Sequence, residues 1–490
     1  MFRKLLKWIH KVFGLLLSLL FLMWFLSGIV MIYHSFPGVS QKDRLEKQRI
    51  IAGNLPNMKT ILSVLPDSSQ VRSLSIDMYF DRPVVHFQGQ HTPEKLYADG
   101  LEPIAEVDGE TIRRTAAQWC EAPVLRIDTM RTLDQWIPFG RLREEFPIYK
   151  YTFQDEERHQ LYLSSKTGRV LQFTDKEQRF WAWLGAIPHW VYFTSLRQNQ
   201  VVWINFVKWS SGIGCIMCLA GLILSLQLAW RNRHKKLFSP YRKRWFKWHY
   251  ASGLVFGIFA ITFAFSGMMS LMDIPDWMKK APKEKRQMFR PGRPGDERSR
   301  FVASAYRLDY REAVLAYEGV KRVEWSSWRN HPYYRLTTDS CTIYVDASDT
   351  VAVRPFCLTQ EMVRQEAHSL YADSIPYRVE LLTEYDEDYF GRKKERVPLP
   401  VYRVQVEDAM HTCHYYQPTT LMQRRVDDDG RVRRLLYSGL HSLNFKYLTD
   451  RPVLWNIVMY TLLIGGSFLS LTGVVISVKW AIRKMKRFFK

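Results

Sequence analysis

Two pairs of histidines recur in register along this chain of 490 residues. From His10, Gly14 lies at +4, Ser27 at +17 and Gly28 at +18; from His249, Gly253, Ser266 and Gly267 fall at the same offsets. From His189, Phe193 lies at +4, Trp203 at +14, Gly214 at +25 and Gly221 at +32, and Phe445, Trp455, Gly466 and Gly473 repeat those steps from His441. A single histidine beside an apolar span can be interfacial decoration, half polar like the Trp and Tyr that favour headgroups. Decoration gives no reason to keep register. Symmetric histidines on facing helices of a four-helix bundle can ligate a haem iron from both axial sides. Gly14 and Gly253, one turn along, remove bulk where a porphyrin edge would lie. No C-x-x-C-H occurs, so any haem would be non-covalent, of b type. His34 closes the first span without a partner in register, because Asp273 occupies the matching place.

The elements that must position these groups are four apolar stretches, Val12 to Tyr33, Val201 to Leu226, Tyr250 to Met272 and Val453 to Val478. Only Lys208 is charged among them. At about 1.5 Å per residue each can cross a hydrocarbon core of about 30 Å, so four transmembrane helices are expected. The first is read as an uncleaved anchor, since its apolar run is too long for a signal peptide and no A-x-A-like site follows.

The formal net charge of +22 raises nucleic acid as a partner, but its distribution answers that. Arg3, Lys4, Lys7 and Lys11 precede the first span. Arg231, Arg233, Lys235, Lys236, Arg242, Lys243, Arg244 and Lys247 separate the second from the third. Lys479, Arg483, Lys484, Lys486, Arg487 and Lys490 follow the fourth, and none of the three segments holds an acid. By the positive-inside rule all three face the cytoplasm, with no nucleic-acid role, and two long loops lie outside. The expected division is 1–34 for the N-terminus and first span, 35–200 for the first outer α+β domain with its interfacial segment, 201–230 for the second span and 231–248 for the basic loop. The third span follows at 249–272, the second outer α+β domain at 273–452, the fourth span at 453–478 and the basic tail at 479–490. Six cysteines in this length exclude a disulfide-dense scaffold.

The outer loops echo one another too. Phe146-Pro147-Ile148-Tyr149-Lys150 and Leu399-Pro400-Val401-Tyr402-Arg403 each begin a strand-like run about 40 residues before a histidine of the second pair. Alternating runs at Gln160–Ser164, Arg169–Phe173, His414–Gln417 and Arg431–Tyr437 read as strands, with turns at Lys166-Thr167-Gly168 and Asp428-Asp429-Gly430. Arg82–Val85 with Leu96–Gly100 matches His331–Tyr334 with Ile343–Ala347. Helices are expected at 57–65, 109–120, 300–318 and 358–370. Each outer domain then reads as a helix on an antiparallel sheet, and the whole as a helix, outer domain and helix repeated twice.

Trp8-Ile9-His10 with Gly14 and Ser27-Gly28, Trp248-His249 with Gly253 and Ser266-Gly267, and the Pro-Val-Tyr strand start resemble the PepSY-associated transmembrane family. That family includes bacterial inner-membrane ferric-siderophore reductases with four spans and two haems. The resemblance implies two periplasmic PepSY-like domains, one haem on His10 and His249 near the cytoplasm, and an outer haem on His189 and His441, or on His34 with one of them. It also implies electron transfer to a periplasmic ferric chelate with release of Fe(II).

The cytoplasmic segments are short and hold no G-x-G-x-x-G turn, so they cannot house a nicotinamide or flavin domain. Electrons must come from a membrane quinol or a separate cytoplasmic reductase. Trp325, Trp328, Arg329 and Tyr333 are candidate chelate contacts on composition alone. His411 and His414 would face opposite sides of a strand and make a poor metal pair. Cys215 and Cys218 read as span packing, and Cys341 and Cys357 as a conceivable disulfide. A rival reading is a non-enzymatic sensor whose outer domains bind an envelope partner. No G-x-S-x-G or H-E-x-x-H pattern supports hydrolysis.

Overall fold

The computed structural model describes residues 1–64, 71, 73–88, 93–234, 239–280, 301–349, 352–371, 374–392 and 395–488. Lys235, Lys236 and Lys490, and positions 65 and 300 of two expected helices, lie outside the described residues.

The four apolar stretches form helices α1 (Phe2–Met31), α2 (Gln200–Arg231), α3 (Arg244–Met269) and α4 (Pro452–Phe488). Each continues past its apolar run into basic residues, because Lys and Arg are good helix formers. The shortest, α3, has 26 residues, about 39 Å of helix and enough to span a bilayer core. Each of α1 and α3 packs against both α2 and α4, so α1 and α3 stand diagonally across the bundle. Phe21, Phe25, Met217, Ala260, Ala264, Trp455, Met459 and Leu463 fill its middle. Gly214 on α2 and Gly466 on α4 let the Phe21 and Phe25 rings lie against bare backbone, where a methyl group would overlap them.

The loops after α1 and α3 supply fourteen described strands in three antiparallel sheets. The first loop holds β1 (Ser73–Tyr79), β2 (Arg82–Gln88), β3 (Pro93–Tyr97), β4 (Val124–Met130), β5 (Ile148–Phe153), β6 (Gln160–Ser164) and β7 (Val170–Thr174). The second holds β8 (Arg322–Trp328), β9 (His331–Thr337), β10 (Thr342–Asp346), β11 (Tyr377–Leu382), β12 (Val401–Val406), β13 (Cys413–Tyr416) and β14 (Gln423–Val426). Strands β4 to β7 form one four-stranded sheet in sequence order, and β11 to β14 another.

The remaining six strands join the loops in one sheet of order β10-β9-β8-β1-β2-β3. Strand β1 pairs antiparallel with β8, Leu74 opposite Trp325 and Ile76 opposite Val323. The outer part therefore differs from two self-contained units. Leu74, Ile76, Val85, Val323, Trp325, Tyr334 and Leu336 share one core across the seam, so the apolar faces contributed by the two loops bury each other.

Two local expectations are corrected. Arg431–Tyr437 is not a strand: Asp428–Arg434 is an α-helix, continued by a π-helical turn at Leu435–Gly439. Asp427 accepts from Gly430 N at 2.8 Å as its N-cap, acids fill the first turn and arginines the last. That charge order complements the helix dipole, and it outweighs the alternation. The helix expected at 300–318 is confined to Tyr310–Leu315, capped by Asp309, with a 3-10 turn at Ala303–Ala305.

Candidate functional site

The register seen in the sequence becomes a pairing in space. His10 near the start of α1 and His249 near the start of α3 face each other with ring centroids 5.9 Å apart. At the opposite end, His189 and His441 meet with centroids 6.0 Å apart. Gly28, whose Cα faces His189, lies eighteen residues along α1 from His10, so about 27 Å of helix separates the pairs.

Each ring is held by its Nδ1. His10 Nδ1 reaches the Met217 carbonyl at 3.0 Å, and His189 Nδ1 the Trp24 carbonyl at 3.1 Å and Ser27 Oγ at 3.2 Å. His249 Nδ1 lies 3.0 Å from Thr472 Oγ1, whose hydroxyl donates to the Leu469 carbonyl at 2.7 Å. His441 Nδ1 lies 3.1 Å from Ser266 Oγ, whose hydroxyl donates to the Phe263 carbonyl at 3.1 Å. A carbonyl accepts only, and the Thr472 and Ser266 hydroxyls already spend their protons on carbonyls, so Nδ1 carries the proton and Nε2 keeps its lone pair. Among the described residues no hydrogen-bond partner reaches any of the four Nε2 atoms. This is the tautomer and outer-shell support of a metal-ligating imidazole.

The loop-end histidines sit on short helical segments pinned in the same way. The Trp203 indole donates to the Trp190 carbonyl at 2.8 Å, and the Trp455 indole to the Ser442 carbonyl at 3.0 Å, each just after the histidine. One residue further, Val191 (φ 54°) and Leu443 (φ 50°) turn the chain through the left-handed region. A β-branched residue there is strained by roughly 1–3 kcal/mol. Such strain persists only where surrounding packing holds it.

A cavity of about 720 Å³ surrounds the His189–His441 pair. Its walls include Trp24, Phe25, Phe263, Trp203, Met459 and Leu463, and Arg392 and Glu395 reach it from the second loop. Asn444 Oδ1 is buried at this wall without a partner among the described residues. Volume, apolar lining and a few polar atoms fit a site for a cofactor-sized ligand.

Other candidates lie elsewhere. His34 stacks on Trp181 with centroids 4.3 Å apart, outside either pair. Trp325, Trp328 and Tyr333 cannot contact a chelate, being only 6%, 7% and 8% exposed. The β8 pleat turns Trp325 into one core, and Trp328 packs with Tyr333 and Phe356 in another. Arg329 is committed to Glu366 at 2.6 Å. Gly14 and Gly253 do not face an imidazole: a methyl group added there would make ordinary contact with Met217 Sδ at 3.9 Å and Leu469 Cδ1 at 3.7 Å. The glycines against imidazoles are instead Gly221 at His10, Gly473 at His249, Gly28 at His189 and Gly267 at His441. All four fall within the matched offsets, which was the available signal. Cys341 and Cys357 are free, exposed thiols.

His411 and His414 do not combine. His411 Nδ1 pairs with Asp428 at 3.1 Å, whereas buried His414 takes a hydrogen bond from the Tyr371 hydroxyl at 2.5 Å. Burial pushes the His414 imidazole down to about 4. The unfolded chain then binds the proton first, near the ordinary 6.5. His414 therefore leaves stability intact above about pH 6.5 and removes on the order of 3 kcal/mol as pH falls towards 4. Thermal melts from pH 7 to 4 should show a shallower acid loss in His414→Gln than in the unaltered protein.

Four membrane-length apolar helices carrying small β-sheet domains with helices define a membrane protein with α+β domains. The family described as the PepSY-associated TM region matches residues 7–480, and the chain belongs to it. No curated protein matches the sequence.

Proposed function

We propose that this protein is a b-type di-haem electron conduit of the bacterial inner membrane that reduces a periplasmic Fe(III) chelate, such as a ferric siderophore. The observation that carries the reading is the two imidazole pairs with free Nε2 lone pairs. Two metal–nitrogen bonds of about 2 Å, plus the reach from each nitrogen to its ring centre, make a centroid separation of about 6 Å. That agrees with 5.9 and 6.0 Å. His10 and His249 would hold one haem, and His189 and His441 the other. The 720 Å³ cavity gives room at the second pair.

Bound haem supplies one-electron redox chemistry on its iron. The chain supplies the rest. Helix carbonyls fix the Nδ1 protons of His10 and His189, the Thr472 and Ser266 hydroxyls those of His249 and His441, and Ser27 adds a third hydroxyl at His189. The apolar bundle middle excludes water between the sites. The basic segments favour a cytoplasmic N- and C-terminus, which sets the His10 pair at the donor face and the loops in the periplasm. The matched pairs and the matched Ser27 and Ser266 hydroxyls at His189 and His441 support a duplicated unit. The donor is a membrane quinol or a cytoplasmic reductase, and the acceptor approaches the end bearing Arg392 and Glu395. A purely sensory role accounts for the sheets but leaves the two ligand-ready histidine pairs without a task.

Reconstituted vesicles test the activity. With a reductant of quinol type supplied at the His10 face and a ferric hydroxamate chelate at the loop face, a ferrous-specific chromophore should report Fe(II) on the loop side. Iron reduction no faster than in vesicles lacking the protein would refute the assignment.

A further inference from the structure

A second group of ligand-type side chains lies in the first long loop, remote from the histidine pairs. Cys120 ends the helix Gly109–Trp119, its N–H bonded to the Ala116 carbonyl. Asp155 and His159 stand on the turn between β5 and β6. One ligand atom from each of the three lies within 4.8 Å of the others. The His159 ring is fixed by stacking on Phe173, with centroids 4.8 Å apart and planes 2° from parallel. Its Nδ1 meets the Asp155 carboxylate. The side chains of His159 and Asp155 remain 24% and 19% exposed, so a small solute can reach them.

The turn between β12 and β13 shows what such a turn needs for itself. There Asp408 accepts from Thr412 N at 2.8 Å and from Thr412 Oγ1 at 2.7 Å. Asp155 makes the same backbone bond to His159 N at 3.0 Å. A carboxylate and a small hydroxyl therefore complete the turn. An imidazole with a thiol beside it is more than turn formation requires.

We propose that Cys120, Asp155 and His159 bind one divalent cation of the zinc class, with water in the fourth position. A thiolate, an imidazole and a carboxylate are the donor mixture of such ions, and sulfur disfavours Mg²⁺ and Ca²⁺. Tetrahedral bonds of about 2.0–2.3 Å set donor separations of about 3–4 Å. The cluster reaches that by small side-chain rotations, which draw Cys120 inward and part His159 from Asp155. Binding displaces the thiol proton, and the one N–H of the neutral imidazole stays on whichever ring nitrogen does not ligate. The two anionic donors balance the ion's charge. The ion would tie the end of the helix to the β5–β6 turn.

The test uses the full-length protein in detergent, titrated with Co²⁺ as a spectroscopic stand-in for Zn²⁺. The expected result is one equivalent bound with a thiolate-to-metal band in the near-ultraviolet difference spectrum, proton release, and displacement by Zn²⁺. Cys120→Ser should abolish that band. Asp155→Asn, which keeps an acceptor for the turn, and His159→Gln should each weaken Co²⁺ binding about tenfold or more. No such band, or a band that survives Cys120→Ser, would overturn the proposal. Should Cys120→Ser fail to fold, unchanged affinity in Asp155→Asn and His159→Gln would overturn it equally. The haem reading stands or falls separately.

Discussion

Replacing either His10 or His249 by alanine should remove one and the same component of the reduced-minus-oxidised spectrum. About half of the α-band absorbance should go with it, since bis-imidazole ligation needs both partners. The His189→Ala and His441→Ala variants should remove the complementary component. The reasoning is local: each ring has its Nδ1 engaged by a helix carbonyl or hydroxyl, and the two rings of a pair are about one metal-bridged spacing apart. All four variants should lose chelate reduction entirely, because either site alone strands the electron within the membrane. The double variant His10→Ala/His249→Ala should look like either single one, the non-additivity expected of residues that act as a unit. His34→Ala should retain both components, since His34 is stacked on Trp181.

The glycines make a sharper prediction, because the two halves differ in space. A methyl group at Gly221 would overlap the His10 ring, whereas one at Gly473 would sit 3.5 Å from His249 Cε1. Gly221→Ala should therefore displace His10 and weaken haem binding at the His10–His249 pair by about tenfold or more, as expected when the support of a ligand is disturbed. Gly473→Ala should leave that haem in place. At the other end, Gly28→Ala and Gly267→Ala should be tolerated, with contacts of 3.4 Å to Leu463 Cδ2 and 3.6 Å to His441 Cε1. Haem titration of the four purified variants separates these outcomes, and equal behaviour of Gly221→Ala and Gly473→Ala would contradict the geometry.

Much of this site is legible in the sequence because helical spacing is rigid. An offset of eighteen residues from His10 to Gly28 fixes both a distance and a face, so repeating it at His249 and Gly267 reports a repeated structure. The choice between His34 and the His189–His441 pair is not legible, since it depends on how the segments after the strands fold back onto α1 and α3. The hydroxyls of Ser27 and Ser266 were visible in register, but their bonds to the loop-end imidazoles arise only in the tertiary structure. The β1–β8 seam is hidden for a similar reason: pairing between strands about 250 positions apart leaves no local pattern. Trp325 and Trp328 misled through composition, as aromatic residues near a membrane suit both an exposed contact and a core. At Arg431–Tyr437 an alternating pattern competed with a capped, dipole-matched helix start at Asp427, and the cap prevailed.

The central claim is that the two imidazole pairs each hold a haem. It is tested most directly by measuring the haem content and spin state of the purified full-length protein, produced with ample haem. Two non-covalent haems per chain are expected, both low-spin, with dithionite-reduced minus oxidised Soret and α-band shifts. Protein that folds with its four helices intact yet carries no haem, or only high-spin haem, would contradict it.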